Sequence, residues 1–510
     1  MSPATRRIPF AWRSLFATAL FALGASIPAA FAAGEGGKPA MSPDAAPTEH
    51  KDGAFGPDPS YEAKPYTEED QLKIYGGKSN VQTPRPLLEL GQRIYEAGPL
   101  KKSGTGMGLK NPTTDAFSIY GDWRTAVARN VNGGTGTSVL ATRLNLDMDY
   151  RFTSTERVHA FFRPLDNGVA NFTRCEFQQA RASNCTTQLN MKPRALFFEG
   201  DLGAMVSGWT GTNQKFDLNV AAGKMPLLFQ NGIWMEDAIT GAAVSIPAIN
   251  SPKLGISNMD ITFFTGQNDV NAGGVRNRFG ALEKNHVKVY GATAFIEANQ
   301  GYWEVGYAYT DPQNELSDQH YNNIGVAFTR RYGGWLSNSV RLIQSFGQKP
   351  NAPTRATANG SLLLIENSFV TSKPTTLVPY LNLFIGSGNP QSVSRAADAG
   401  GILKNTGINF ETDGLTGYPK MNDTGNNTYG GALGVSYLFN LDQQLVFEVA
   451  ATEPRKDLAS RTLVGREIGV GARYQLTLDK AWIFRTDAMI VNRANTKDLA
   501  GIRFEIRRKF

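Results

Sequence analysis

After its first 32 residues this sequence lacks long apolar runs. No later segment of the 510 residues reaches 18 consecutive apolar positions, about the length a helix needs to cross a bilayer. Spanning helices are therefore excluded there, and any membrane crossing has to be made by strands. Histidine is scarce: His50, His159, His286 and His320 stand apart, with no pair at metal-ligand spacing, so no metal site is expected. Only Cys175 and Cys185 carry thiols, which rules out a Cys-x-x-Cys-His haem attachment. Gly-x-Ser-x-Gly and Walker sequences are missing too. The expectation is no cofactor and no enzyme. Nor is there a large excess of either charge. Of 52 basic residues three lie in the first 32, leaving 49 against 45 acidic, a net +4. That is too weak and too mixed for a nucleic-acid surface.

What the sequence does have begins at the amino end. Arg6, Arg7 and Arg13 precede an apolar core from Leu15 to Ala25, and Ala30-Phe31-Ala32 is a small-residue cleavage pattern. This reads as a signal peptide over 1–32 and predicts export. In an exported chain, two cysteines ten apart in a polar stretch predict a Cys175–Cys185 disulfide.

The other end alternates. Ile502, Phe504, Ile506 and Phe510 are apolar, while Arg503, Glu505, Arg507 and Lys509 are charged. A period of two puts apolar groups on one face and charge on the other. Leu140, Leu144, Leu146, Met148, Tyr150 and Phe152 likewise alternate with Arg143, Asn145, Asp147, Asp149 and Arg151. About 17 such segments run from residue 117 to the end, and 53 glycines supply turns. Short links at 153–156, 298–300, 331–334, 440–442 and 479–480 contrast with long polar ones at 166–192, 266–284, 387–428 and 452–463. This predicts an all-β fold, a transmembrane antiparallel barrel over 113–510, with an even strand count of 16 or 18. Both barrel ends then lie on the inner side, and the 166–192 link is outside. Residues 33–112 form an N-terminal periplasmic segment: Gly34 to Pro65 is aperiodic and predicted disordered, and a helix is predicted near 84–98, started by Pro84 and Pro86 and stopped by Gly98-Pro99.

The closing strand and its terminal Phe510 resemble those of bacterial outer-membrane proteins. The resemblance implies an outer-membrane location, lipid contact and recognition of Phe510 by the barrel-assembly machinery. Arg508 departs from an all-apolar outer face, and a position at the rim accommodates it by snorkelling. A second segment, Val220-Ala221-Ala222-Gly223-Lys224-Met225-Pro226, resembles the strand end that precedes the constriction loop of general porins. By that resemblance 225–247 is expected as an irregular loop folded into the pore, with Glu236 and Asp237 at the constriction.

Alternation supplies the facing wall. Arg124, Arg143, Arg151, Arg157 and Arg163 fall on the polar faces of the first three strands, and Arg473, Arg485 and Arg503 on those of the last three. Arginines against carboxylates make a transverse field that sets ion preference. The expectation is a porin passing small hydrophilic solutes and ions by diffusion, with mild anion preference. Two alternatives stay open: a selective or export channel for an acidic solute such as phosphate or an anionic polysaccharide, and a scaffold sheathing a periplasmic electron-transfer partner. Assembly into a homo-oligomer is also left open.

Overall fold

A computed structural model describes residues 84–91, 104–167, 171–178, 181–349, 356–440, 442–455 and 464–510. The expected signal peptide and disordered stretch lie outside the described residues. Residues 212–216 group apart from the body formed by Lys78–Gly211 and Asp217–Phe510, and it is that body which follows.

Its strands are β1 Leu88–Gly91, β2 Ala116–Asn132, β3 Thr135–Arg151, β4 Arg157–Phe162, β5 Thr173–Gln178, β6 Arg181–Thr186, β7 Ala195–Asp201, β8 Asn219–Phe229, β9 Met235–Ser251, β10 Ile256–Asn268 and β11 Val287–Ala298. There follow β12 Gly301–Pro312, β13 Tyr321–Tyr332, β14 Leu336–Phe346, β15 Asn359–Phe369, β16 Leu377–Asn389, β17 Ser394–Arg395, β18 Thr428–Asn440, β19 Gln443–Pro454, β20 Glu467–Thr477, β21 Trp482–Arg493 and β22 Leu499–Lys509. Wall neighbours pair antiparallel, and β22 pairs with β2 from Asp122↔Lys509 to Val131↔Ala500, which closes the barrel. Two wall positions are split. β4 and β5 pair with the two halves of β3, and β7 and β6 continue from them. The result is an 18-strand antiparallel closed barrel.

The alternation of the sequence becomes inside and outside. On β22, Ile502, Phe504 and Ile506 are about 40% exposed, whereas Arg503 and Glu505 are 3% exposed. Apolar side chains so placed face hydrocarbon, and the polar ones face the lumen. At the rim carrying both barrel ends, aromatic pairs such as Trp335–Phe369, Phe295–Tyr302 and Tyr437–Phe439 form a girdle, with Arg508 over the Trp482 ring. Amphipathic rings favour this interfacial depth.

Three expectations need correction. Residues 225–247 are not an irregular loop: they belong to the β8–β9 hairpin, whose turn is only 230–234. β9 is the strand missing from the 17, because its inward positions Met235 and Ile239 are apolar and fully buried, so polar and apolar residues do not alternate along it. The 166–192 link is largely β5 and β6, which extend the wall and carry the Cys175–Cys185 disulfide as a cross-strand pair. The helix expected near 84–98 is not formed over its described part. Leu88–Gly91 is a strand instead, because β2 extends past the end of β22 and offers it an open edge; residues 92–98 lie outside the described residues. A short helix follows β7. α1, Leu202–Thr210, is capped by the Asp201 carboxylate on the Ala204 N–H at 2.6 Å and ends on left-handed Gly211.

Candidate functional site: a plugged lumen with one open side

The connection between β16 and β18, residues 390–427, is the longest in the barrel and turns inward. It contains buried Leu403, Phe410, Leu415 and Met421, which an exposed loop would not cover. Its first turn docks on the β8–β9 tip. Val393 N–H donates to the Trp234 carbonyl at 2.8 Å, Ser392 Oγ to the Ile233 carbonyl at 2.6 Å, and β17 pairs in parallel with Met235 and Glu236. Trp234 itself is fully buried and donates Nε1–H to Asn323 Oδ1 at 2.7 Å. Its ring lies flat enough on the wall that a Cβ at Gly306 or Gly325 would come within 2.6 Å of it. Glycine at those two positions is what lets the indole seat.

The middle of the loop is anchored by charge. Asp413 bridges Arg124 and Arg503, the latter at 3.1 Å, and Glu411 meets Arg473 at 2.8 Å. Arg124 also pairs with Glu505 at 2.6 Å. Asp487 collects Arg473, Arg485 and Arg503 at 2.7, 2.9 and 2.8 Å. Arg124, Arg473, Arg485 and Arg503 thus face Glu411, Asp413, Asp487 and Glu505, four against four. Burial pushes the Asp413 carboxyl up, but Arg124 and Arg503 outweigh it and hold the group well below the usual carboxylate range. Glu411 is lowered in the same way, burial being outweighed by Arg473 and Arg485. A further anchor involves no cation among the described residues. Fully buried Glu448 accepts the backbone N–H of Ile408 and Asn409, both at 2.9 Å, the Asn409 amide at 2.8 Å and the Tyr380 hydroxyl. Hydrogen bonds to a carboxylate of this kind are the strong ones.

Beside this plug the lumen stays open. A cavity of about 750 Å3 lies against the walls β3, β4, β7, β8 and β9, bounded by residues 396–398 of the loop. Asp122 lines it and also lines a second cavity of about 440 Å3 at the terminal rim, under Pro84–Pro86 and beside Phe510. At the other end the first cavity reaches Asp269 and Lys284, near the two ends of the β10–β11 link. Arg163, Arg194, Lys224 and Lys284 line it with partly exposed side chains. Arg143 and Arg194 both meet Asp166, at 3.1 and 2.5 Å, and Lys224 and Lys284 both meet Asp269, at 3.4 and 3.6 Å. Arg163 pairs with Asp398. Burial raises Asp398 and Asp269, and their cations, Arg163 and Lys224 foremost, bring both below the ordinary value.

The residues singled out from the sequence therefore separate. Arg143, Arg163 and Asp237 line the cavity, Asp237 held by Asn271 Nδ2 at 3.0 Å and by Ser394. Arg124, Arg473 and Arg503 anchor the plug, and Arg485 supports them through the Asp487 they share. Glu236 faces cations, but from the loop rather than the wall: Arg395 at 3.2 Å and Lys404 at 3.5 Å. Arg151 and Arg157 oppose each other near the terminal rim, Arg157 on Asp149 and Glu199. Arg194, Lys284, Asp269 and Asp398 were missed because they sit in links, where alternation gives no signal. The great length of the 387–428 link was the one hint of a plug. Among the described residues no group of three metal-ligating side chains occurs.

Neither a protein-family model nor a curated protein matches the sequence. Solved structures do match in fold. OccK9 (OpdG) of Pseudomonas aeruginosa aligns at 12% identity over 77% of this chain and 98% of its own, with a TM-score of 0.50. OccK5 (OpdH) of the same organism aligns at 11% identity over 77% and 98%, TM-score 0.49. Wzi of Escherichia coli, an outer-membrane protein involved in group 1 capsule assembly and a carbohydrate-binding β-barrel, aligns at 13% identity over 76% and 85%, TM-score 0.43. The fold is that of the porin-like outer-membrane barrels.

Proposed function

We propose that this outer-membrane barrel is a passive diffusion channel for small hydrophilic solutes, with a mild preference for those carrying an anionic group. The observation that carries the reading is the polar cavity left beside the plug, which shares Asp122 with the terminal-rim cavity and reaches Lys284 at the other side. An 18-strand wall is wide enough to enclose an aqueous path, and a polar lining replaces hydration that hydrocarbon would remove. The arginines against the plug are matched four to four and add no net charge to that path. The positive excess lies instead where two cations share one carboxylate, at Asp166 and at Asp269. Asp237 and Asp147 match that excess in number, and Asp122 pairs with Arg507, but Asp237 is buried whereas Arg194, Lys224 and Lys284 keep part of their side chains in the open space, so the preference is mild. A scaffold sheathing a partner protein would need a lumen free of its own chain, and residues 390–427 fill much of this one.

The test is a planar-bilayer recording of the full chain in a potassium chloride gradient. Discrete conductance steps with a reversal potential on the anion side are expected, the preference fading toward 1 M salt as the screening length shrinks to about 3 Å. A barrel that inserts and conducts nothing, or a cation-selective one, overturns the reading.

A further inference from the structure

Arg129 is a cation on the wrong side of the wall. It lies on the outward face of β2, three residues before that strand ends at the Gly133-Gly134 turn. In the same row across the sheet its neighbours are Ile502 on β22 and Ser138 on β3, followed by Ala488 and Ala472 on one side and Phe177 on the other. Among the described residues its side chain makes one hydrogen bond, from Nη1 to Ser138 Oγ at 3.1 Å, and no carboxylate pairs with it. A guanidinium on the lipid face is costly in hydrocarbon and less so near the interface, and here the protein supplies only a hydroxyl.

The surface on both sides of Arg129 is grooved. Ala472, Ala488 and Ala500 are small where their neighbours Phe447, Val470 and Ile490 are large, and a cavity of about 440 Å3 lies over them. Across the seam a second cavity of about 320 Å3 lies between Val127, Leu140, Phe177 and Phe504. Arg129 and Ile502 border both. Lys497, whose side chain lies over Gly134, brings another cation to this stretch of rim. One unpaired planar donor between two apolar troughs complements an anionic group that accepts two parallel hydrogen bonds and carries apolar chains.

We propose that Arg129 and the two grooves it divides seat one phosphate-bearing, multi-acyl membrane lipid in the leaflet at the rim away from the termini. The phosphate accepts from Arg129, and acyl chains lie in the grooves. This rests on the membrane-spanning fold and not on the channel reading, since a barrel that conducts nothing would still bind the lipid.

The test is native mass spectrometry of the full chain in mild detergent, titrated with phosphatidylglycerol in one arm and lipid A in the other. One lipid per barrel is expected in at least one arm. Arg129→Gln should weaken it about tenfold or more, a loss of about 1.4 kcal/mol or more, and so should Ala472→Phe/Ala488→Phe, which keeps the charge and fills a groove. Arg508→Gln, an outward arginine at the opposite rim, should bind as the parent does. The proposal is overturned if Arg129→Gln binds unchanged, or if Arg508→Gln loses as much, which marks general headgroup attraction. Inorganic phosphate that displaces the lipid from the parent while the groove-filled variant still binds it would mark a plain anion site, and also overturns it. Heat-modifiable mobility on gels reports that each variant is folded.

Discussion

The two sides of this lumen use the same residue type for opposite ends. On the side of β19–β22 and β2, inward arginines meet carboxylates brought by the 390–427 loop and become part of a closed, neutral anchor. On the side of β3–β9, inward cations meet fewer loop carboxylates, stay partly exposed and border water-sized space. What separates them is the reach of one loop, which places Glu411 and Asp413 on one side and only Asp398 on the other. An arginine in a barrel wall is therefore not by itself a selectivity residue.

The hardest blow to this contrast is removal of the anchor. Asp413→Ala with Glu411→Ala leaves Arg124, Arg473 and Arg503 without their loop partners. Each arginine keeps its wall carboxylate, Glu505 or Asp487, but the loop loses every charge contact with that wall, so it should detach. We predict single-channel conductance rising about twofold or more with added gating noise, and unchanged current would mean that the plug is held by its apolar contacts alone. Arg124→Gln should behave in the same direction but less strongly, since Arg503 still holds Asp413. It should not act as a simple selectivity mutant, and a shift in reversal potential at unchanged conductance would refute its anchoring role.

The open side answers differently. Lys224→Gln with Lys284→Gln should move selectivity toward cations by roughly a factor of two at low salt, with conductance nearly constant; a large conductance change would place these lysines in the plug's support instead. Acid sharpens the comparison further. Asp413 and Glu411 are held below their unfolded values, so their stabilising contribution is complete above about pH 4 and is lost only as pH falls through the depressed folded values. Conductance should stay flat from neutral down to about pH 4, and opening at pH 5–6 would contradict the anchor. The smallest effect is expected from Cys175→Ser/Cys185→Ser. The bond closes only a short hairpin extension, worth roughly 2–3 kcal/mol in the chain-entropy picture, and the barrel should assemble without it.

The barrel was legible because hydrocarbon outside and water inside force a period of two, and Arg124, Arg143 and Arg503 declared their faces through it. The same rule hid β9, since Met235 and Ile239 point inward yet are buried in an apolar cluster inside the barrel and so are apolar on the lumen side. Chains in links obey no such period. Arg194, Asp398 and the docking of Asp413 on Arg124 depend on long-range closure, and nothing local to residue 413 announces a partner at 124. Likeness to general porins drew attention to 225–247, where the tip does turn inward on Trp234, but the plug itself comes from a link 160 residues further on.

The long first wall strand carries a consequence for how the cylinder is sealed. β2 is hydrogen-bonded at its foot to β1, up to Leu88↔Ile119, and above that to the final strand, whose Phe510 exchanges backbone bonds with Gly121 at 2.9 and 3.0 Å. Only Tyr120 lies between the two partners, so they abut on one edge like two boards against a batten. A final strand sliding two residues toward the foot would run into β1, and each one-residue slip would turn Arg503 and Glu505 into the lipid. β1 therefore stands at the foot of the seam, and one residue of the β2 edge, Tyr120, is all that separates it from the last strand.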